Sequence, residues 1–185
     1  RYGNPSIPDA LATLISGNRQ LKKILLVPLY PHYAMASTKT VEEKAKDAMR
    51  KYADIELQIL MPFYNHPHYI DALSATIQKC LPVDAEHWLF SFHGIPERHV
   101  KKTDITGNHC LKKNDCCNKT CEAHRYCYRH QILETTRLIT ERLNILNFSV
   151  SFQSRLGQDA WLQPFTEDEL RHLAASGIKK LAVVC

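Results

Sequence analysis

Leu89-Phe90-Ser91-Phe92-His93-Gly94-Ile95-Pro96 is an apolar run of strand type that ends in a histidine. The Gly-Ile-Pro segment then directs the backbone out of a sheet, because proline lacks the N–H that a strand ladder needs. In an open α/β sheet, ligands bind at the carboxyl ends of the strands. His93 is therefore a candidate functional residue, and a structural or surface imidazole is the alternative that its position leaves open.

Strand patterns and helix patterns alternate along the chain on both sides of this stretch. Continuous apolar runs predict strands, and apolar residues three and four positions apart predict the helices between them. The predicted strands are 24–29, 55–61, 87–92, 148–152 and a run from about 180, and the predicted helices are 6–17, 41–52, 67–81, 132–143 and 166–177. This alternation predicts an α/β fold with a doubly wound parallel sheet.

A faint repeat relates the two ends of the chain. Ser6 precedes Gly17 by the same interval as Thr166 precedes Gly177, and each glycine is followed by a lysine pair and an apolar strand. Thr166 also forms a capping-box sequence with Glu169. The repeat predicts two similar α/β halves, and chance similarity between α/β segments is the alternative.

The composition indicates a globular protein with a mild positive charge. Of 185 residues, 44% are hydrophobic and 23% are charged, and the formal net charge is +5. The basic residues form no stripe, which argues against nucleic acid as a partner. No apolar run reaches the ~20 residues of a membrane helix, and no signal peptide opens the chain. We expect a cytoplasmic protein whose charge would suit an anionic ligand or an acidic membrane surface.

Several motifs, in order along the chain, closely resemble the ferrochelatase family. They are Arg1-Tyr2-Gly3, Leu29-Tyr30-Pro31-His32-Tyr33, Ser91-Phe92-His93-Gly94-Ile95-Pro96-Glu97-Arg98, Ser151-Phe152-Gln153-Ser154-Arg155-Leu156-Gly157 and Trp161-Leu162-Gln163-Pro164. The resemblance covers essentially the whole chain apart from a cysteine-rich segment. It implies a chelatase-like fold of two Rossmann-like halves around a porphyrin cleft. It also implies an enzyme that inserts ferrous iron into protoporphyrin IX, the last step of haem synthesis.

The resemblance also implies a domain organisation. Residues 1–33 would be the C-terminal part of the first Rossmann-like half, and 34–185 an incomplete second half with a cysteine-rich insert at 104–128 (the cysteine insert). The chain begins at Arg1 without a methionine and stops at Cys185 inside a strand pattern, so we expect a central piece of a longer protein. The family's pocket also holds a glutamate that should follow Cys185. We therefore expect this stretch alone not to insert metal.

The resemblance places His93 in the porphyrin pocket. Two pyrrole N–H protons must leave as the metal enters, and an imidazole can accept a proton or ligate the iron; both roles stay open. Trp161 is expected to cover the macrocycle, and Arg1 to pair with a propionate. Tyr30 and Tyr33 would line the cleft from the first strand's exit. Core packing is the alternative for the three aromatic residues, and a solvated terminal charge for Arg1.

The cysteine insert contains five of the seven cysteines: Cys110, Cys116, Cys117, Cys121 and Cys127. A chain without a secretory signal is expected in a reducing compartment, which favours metal binding over disulfides. Some members of the resembled family carry a [2Fe–2S] cluster, which four thiolates would hold. Zinc is one alternative, and free thiols or disulfides are the other. Cys110 and Cys127 bracket the segment and are chosen first, and Cys116 and Cys117 are preferred to Cys121.

The other histidines and cysteines are assigned no role in iron insertion. His109, His124 and His130 are expected to be exposed, although His109 or His124 could join a zinc site. Cys80, on a helix, and Cys185, in a strand, are predicted to be buried core thiols.

Two other functions stay open. One is a tetrapyrrole chelatase that places cobalt or nickel, although the segments at Trp161 and Gln153-Ser154-Arg155 favour the haem branch. The other is a non-catalytic iron–sulfur or zinc-binding module. The sequence also leaves open protoporphyrin against coproporphyrin and monomer against homodimer. Because porphyrin and haem are apolar, peripheral membrane contact is compatible with the enzyme hypothesis.

Overall fold

All strand pairs in the described part of the chain are parallel, and they form two sheets. The computed structural model describes residues 3–80 and 84–185. The strands there are β1 (Lys23–Leu26), β2 (Glu56–Ile59), β3 (His87–His93), β4 (Phe148–Gln153) and β5 (Leu181–Val184). β1 pairs with β2, and the other sheet has the order β4-β3-β5. The predicted α/β class with parallel strands is confirmed.

The helices connect these strands as the sequence pattern predicted, with one addition. They are α1 (Ile7–Ser16), α2 (Thr40–Met49), α3 (Pro67–Cys80), α4 (Glu97–Thr103), α5 (Tyr128–Leu143) and α6 (Thr166–Ala175), with a π-helical turn at Met35–Lys39 and a 3₁₀ turn at Glu122–Tyr126. The sequence pattern missed α4, because Val100 is its one buried side chain and leaves no apolar period to detect. Among the described helices, none is long and apolar enough to cross a membrane.

Of the two N-terminal caps that the sequence predicted, at α1 and at α6, the structure confirms one. At α1 the N-cap is confirmed, because Ser6 Oγ accepts a hydrogen bond from the Asp9 N–H at 3.3 Å. At α6 the capping box is wrong, since Phe165 is the N-cap residue and no side chain caps the helix. The Thr166 hydroxyl instead lies 2.8 Å from Ser91 Oγ and 2.9 Å from Ser151 Oγ. It therefore ties α6 to the sheet.

The chain divides into two compact units, one that ends at Pro62 and one that begins at Phe63. In the first unit, α1 and α2 pack on the β1–β2 sheet around Leu11, Ile24 and Ala45. The second unit contains the three-stranded sheet and the cysteine insert. The boundary at 33/34 concerns the two halves of the whole protein, and it stays a prediction.

The connections of the second unit place helices on opposite faces of its sheet. On one face, Phe90 packs with Ile139 of α5. On the other face, Ser91 and Ser151 bond to Thr166 of α6. The chain thus leaves β3 toward one face and β4 toward the other. The carboxyl ends of these two neighbouring strands form a topological switch point, the place where open α/β sheets bind ligands.

Candidate active site and cysteine insert

His93 lies at this switch point. It is the last residue of β3 and pairs in register with Gln153, the last residue of β4. It is also exposed, whereas Leu89 and Phe90 earlier in the same strand are almost fully buried. The strand thus carries the imidazole from the core to the edge of the sheet, where a ligand can reach it.

Gly94 makes the close turn after His93 possible. Its N–H donates to the carbonyl oxygen of Gln153 at 2.6 Å. A Cβ atom at this position would lie 3.0 Å from that same oxygen and 3.4 Å from the Trp161 ring. Only glycine allows backbone and indole to approach this closely without displacement.

Trp161 is brought beside Gly94, the residue after His93, by the pairing of two loops. Pro96 and Trp161 form an isolated antiparallel bridge, and the Leu162 N–H donates to the Ile95 carbonyl at 3.1 Å. The indole Nε1–H donates to the Leu156 carbonyl at 3.0 Å, which fixes the plane of the ring. The two motifs, distant in sequence, therefore share one edge of the sheet.

Tyr128 is a contact of His93 that the sequence did not indicate. Its hydroxyl donates to the carbonyl oxygen of His93 at 2.8 Å. Burial raises the pKa of Tyr128 to about 12. A tyrosine at the start of a helix has no motif around it, so no local signal could have identified this residue.

The other proposed porphyrin contacts have different surroundings. Tyr30 is 41% exposed, as a residue lining a cleft should be, whereas Tyr33 is 6% exposed, as core packing would give. Both lie in the first compact unit. Arg1 is outside the described residues. The roles of these three residues toward a porphyrin stay predictions.

Four cysteines of the insert approach one another. Cys110, Cys116 and Cys127 are almost fully buried, and Cys117 is partly buried. Cys116 Sγ and Cys117 Sγ are 3.9 Å apart. A hydrogen bond with the Cys127 thiol, together with burial, raises the pKa of Cys117, and a hydrogen bond with the Cys110 thiol raises the pKa of Cys127 to about 12. These contacts define a four-thiol cluster of Cys110, Cys116, Cys117 and Cys127.

Cys121 has a different environment. It is partly buried and packs against the hydrophobic cluster that contains Cys110, Ala123 and Cys127, but the contacts between thiols of the described residues do not include its sulfur. Among the described residues, no group of three or more His, Cys, Asp or Glu side chains has the spacing of a site for a metal ion. The sulfur contacts instead run in series, from Cys116 to Cys117 to Cys127 to Cys110.

Three histidines surround the four-thiol cluster, and the prediction that they are exposed is wrong for His109 and His124. These two are 5% and 8% exposed, and His130 is partly buried. His109 Nε2 and His124 Nε2 lie 2.6 and 2.7 Å from the Cys116 carbonyl oxygen, and His130 Nδ1 lies 3.0 Å from that of Cys117. A carbonyl oxygen can only accept, so each of these nitrogens carries a proton. The imidazoles thus hold the Cys116–Cys117 backbone.

Asp104 orders the entrance to the insert. Its Oδ2 accepts from the backbone N–H groups of His109 and Cys110 at 2.7 and 2.8 Å, and its Oδ1 accepts from the Thr106 hydroxyl at 2.7 Å. Burial alone would raise the pKa of Asp104, but these hydrogen bonds outweigh it and hold the pKa well below its usual range. The cysteine insert is therefore held by specific hydrogen bonds around its thiols. Outside it, Cys80 and Cys185 are exposed, which corrects the prediction of core thiols.

Comparison with known proteins gives one consistent family. The family model described as ferrochelatase matches residues 1–185. The chain is 48% identical over 189 residues to a ferrochelatase of Pseudomonas fluorescens (strain Pf0-1), covering 100% of the chain and 55% of that protein. It is similarly 45% identical to a ferrochelatase of Ectopseudomonas mendocina (strain ymp), covering 100% of the chain and 55% of that protein. The chain thus spans 55% of the length of these relatives.

Proposed function

The chain belongs to the ferrochelatase family, and from this premise we propose that the protein containing it inserts ferrous iron into protoporphyrin IX to form haem. One observation carries the proposal: His93 ends its strand at the switch point, and the Trp161 indole lies against Gly94, the residue that follows it. A flat apolar ring and an accessible imidazole are what a porphyrin chelatase needs at the same edge of a sheet. Sequence family and local geometry therefore support the same chemistry.

His93 supplies the polar chemistry in this proposal. The porphyrin loses two N–H protons as Fe²⁺ enters, and a neutral imidazole can take up such a proton or ligate the incoming ion. His93 is exposed, so substrate can reach it, while its backbone is held by Tyr128 and by its place in β3. Because the backbone of His93 is fixed and its ring is exposed, the imidazole can meet the substrate from a defined position.

Trp161 supplies an apolar surface for the macrocycle. Its N–H is already satisfied by the Leu156 carbonyl, so the indole can cover an apolar ligand without losing a hydrogen bond. Tyr30, which is 41% exposed, and Tyr33 are kept as further proposed porphyrin contacts. Arg1 is assigned to a propionate, for which a planar guanidinium is suited.

The four-thiol cluster is proposed to hold a [2Fe–2S] cluster, with zinc as the second candidate. The donor set fits two irons, because four cysteines serve two metal ions as two pairs of ligands. The Arg129 guanidinium, 3.8 Å from Cys116 Sγ, would favour thiolates there. Zinc would instead take the four thiolates as one tetrahedral set. A bound cluster would replace the thiol protons and hold the insert together.

The cellular setting is also a proposal. Porphyrin and haem are apolar, so we propose a cytoplasmic protein that contacts membrane surfaces peripherally, as a monomer or a homodimer. Co-sedimentation with anionic phospholipid vesicles tests the membrane contact, and a protein that stays in the supernatant at low salt would contradict it.

The test of function is His93→Ala in the full-length protein. Removing a general base or ligand should lower the rate of iron insertion by roughly a hundredfold or more. His172→Ala, at an exposed position of α6, is the matched control and should retain the parent rate. Retention of visible iron–sulfur absorption in both variants would show that the fold is intact. Unchanged insertion by His93→Ala would overturn the proposal and favour a non-catalytic module or a different site.

A further inference from the structure

Tyr128 lies at the junction between the four-thiol cluster and His93. It is the first residue of α5, and Cys127 directly before it is the N-cap of that helix. Cys127 Sγ accepts from the His130 N–H at 3.5 Å, so one sulfur belongs both to the thiol contacts and to the start of the helix. A change at this sulfur must therefore act on the first turn of α5.

The Tyr128 side chain is well placed to pass such a change to His93. Its ring packs against the hydrophobic cluster around Ile95 and Phe152, and this packing leaves the ring little freedom. Its hydroxyl donates to the His93 carbonyl at 2.8 Å. A carbonyl oxygen can only accept, so the Tyr128 hydroxyl is the donor of this bond.

The bond from Tyr128 completes the fixation of one peptide group. The peptide between His93 and Gly94 has its N–H bonded to the Gln153 carbonyl at 2.6 Å. Its carbonyl is bonded to Tyr128. The orientation of this peptide limits the direction in which the His93 side chain leaves the backbone. Without the Tyr128 hydroxyl, this peptide group loses one of these two hydrogen bonds.

We propose that Tyr128 is a positioning residue that fixes the backbone of His93 and couples it to the four-thiol cluster through Cys127. The proposal rests on the proposed function for its catalytic consequence, since His93 matters for catalysis only if the protein inserts iron. Through this coupling, a change at the four-thiol cluster alters the position of His93 at the switch point. The four thiols need not contact the substrate for this effect.

Tyr128→Phe in the full-length protein tests the positioning role, because it removes the hydroxyl and keeps the ring. We expect the kcat for iron insertion to fall roughly tenfold or more, with the KM for porphyrin nearly unchanged. Tyr64→Phe is the control, since it also removes a hydroxyl beside α5, where the Tyr64 ring contacts His130. Replacing Tyr128 by para-aminophenylalanine should restore much of the rate by restoring a donor. Parent-like kcat in Tyr128→Phe would overturn the proposal.

A readout independent of activity separates this inference from the proposed function. The imidazole signals of His93, compared by NMR at one pH, should shift in Tyr128→Phe and stay unchanged in Tyr64→Phe. A parent protein that inserts no iron would refute the proposed function, while the NMR comparison would still decide the role of Tyr128. Identical His93 imidazole signals in the parent and in Tyr128→Phe would overturn the inference by themselves.

Cys127→Ser tests the coupling, because serine keeps an N-cap acceptor while removing the sulfur. The substitution should shift the His93 signals in the parent background and leave them largely unchanged in the Tyr128→Phe background. Equal shifts in both backgrounds would show that Tyr128 does not transmit the change. Helical circular dichroism of each variant verifies that α5 still forms.

Discussion

At the scale of single residues, His93 depends on neighbours that are remote in sequence. Gln153 aligns the end of its strand, Trp161 lies against the turn that follows, and Tyr128 holds its carbonyl. The motif around His93 was enough to predict its importance, because an apolar strand that ends in histidine and Gly-Ile-Pro has few structural solutions. The motif could not predict Tyr128, since the bond joins a side chain to a backbone atom and leaves no trace in local sequence.

The turn at Gly94 yields a prediction for stability. Gly94→Ala would put a Cβ 3.0 Å from the Gln153 carbonyl oxygen, which belongs to backbone and cannot rotate away. We expect the free energy of unfolding of the full-length protein to fall by about 1–3 kcal/mol, as for other overpacked sites. Denaturant unfolding measures this, with Gly3→Ala as the control, because nothing lies within 4 Å of a Cβ there. Equal stability of the two variants would contradict the close approach at Gly94.

His32 yields a prediction for pH. Burial lowers the pKa of His32 from 6.5 to about 4. The folded state therefore binds this proton less readily than the unfolded state, so its contribution to stability is full above pH 6.5 and is lost as the pH falls toward 4. His32→Gln should flatten the pH dependence of the free energy of unfolding in this window. His68→Gln, at an exposed position, should leave the slope as in the parent; a parent-like slope in His32→Gln would refute the assignment.

At the scale of elements, hydrophobic periodicity predicted the strands and most of the helices. Predictions for single polar residues failed where their side chains bond to groups that are distant in sequence. Thr166 has the sequence of a capping box, yet its hydroxyl bonds to Ser91 and Ser151 on the sheet. The buried strand hydroxyls need a partner more than the solvent-accessible helix end does, because an unsatisfied buried polar group costs about 1–3 kcal/mol. In the cysteine insert, polar residues such as His109 and His124 are buried because backbone carbonyls satisfy them.

The cysteine insert yields a prediction that separates its five thiols. Single Ser substitutions of Cys110, Cys116, Cys117 or Cys127 in the full-length protein should abolish the visible iron–sulfur absorption, since each removes one of four ligands. Cys121→Ser should keep the absorption, because among the described residues the contacts between thiols join Cys110, Cys116, Cys117 and Cys127 and do not include Cys121. Ultraviolet–visible spectra and iron analysis of anaerobically purified variants measure this. Zinc in place of iron in the parent protein would support the second candidate, and loss of absorption in Cys121→Ser would refute the ligand assignment.

At the scale of the whole molecule, the described chain has two compact units and belongs to a family whose curated relatives are longer. Its second unit holds His93, Trp161 and the four-thiol cluster on one three-stranded sheet and its connections. If the proposed function is correct, a chelating histidine and an iron–sulfur site thus share one folding unit. Local unfolding of the cysteine insert would then reach the active site through α5.

The sequence by itself determined the α/β class, the parallel strands, the family and the candidacy of His93, Trp161 and the cysteines. These properties are written in local patterns, because periodicity and short motifs depend on residues near one another in the chain. Only the tertiary structure decided that Trp161 lies beside Gly94, that Tyr128 holds His93 and that four of five thiols approach one another. The physical reason is that these contacts join distant segments, and their geometry follows from strand register and helix packing rather than from residue order.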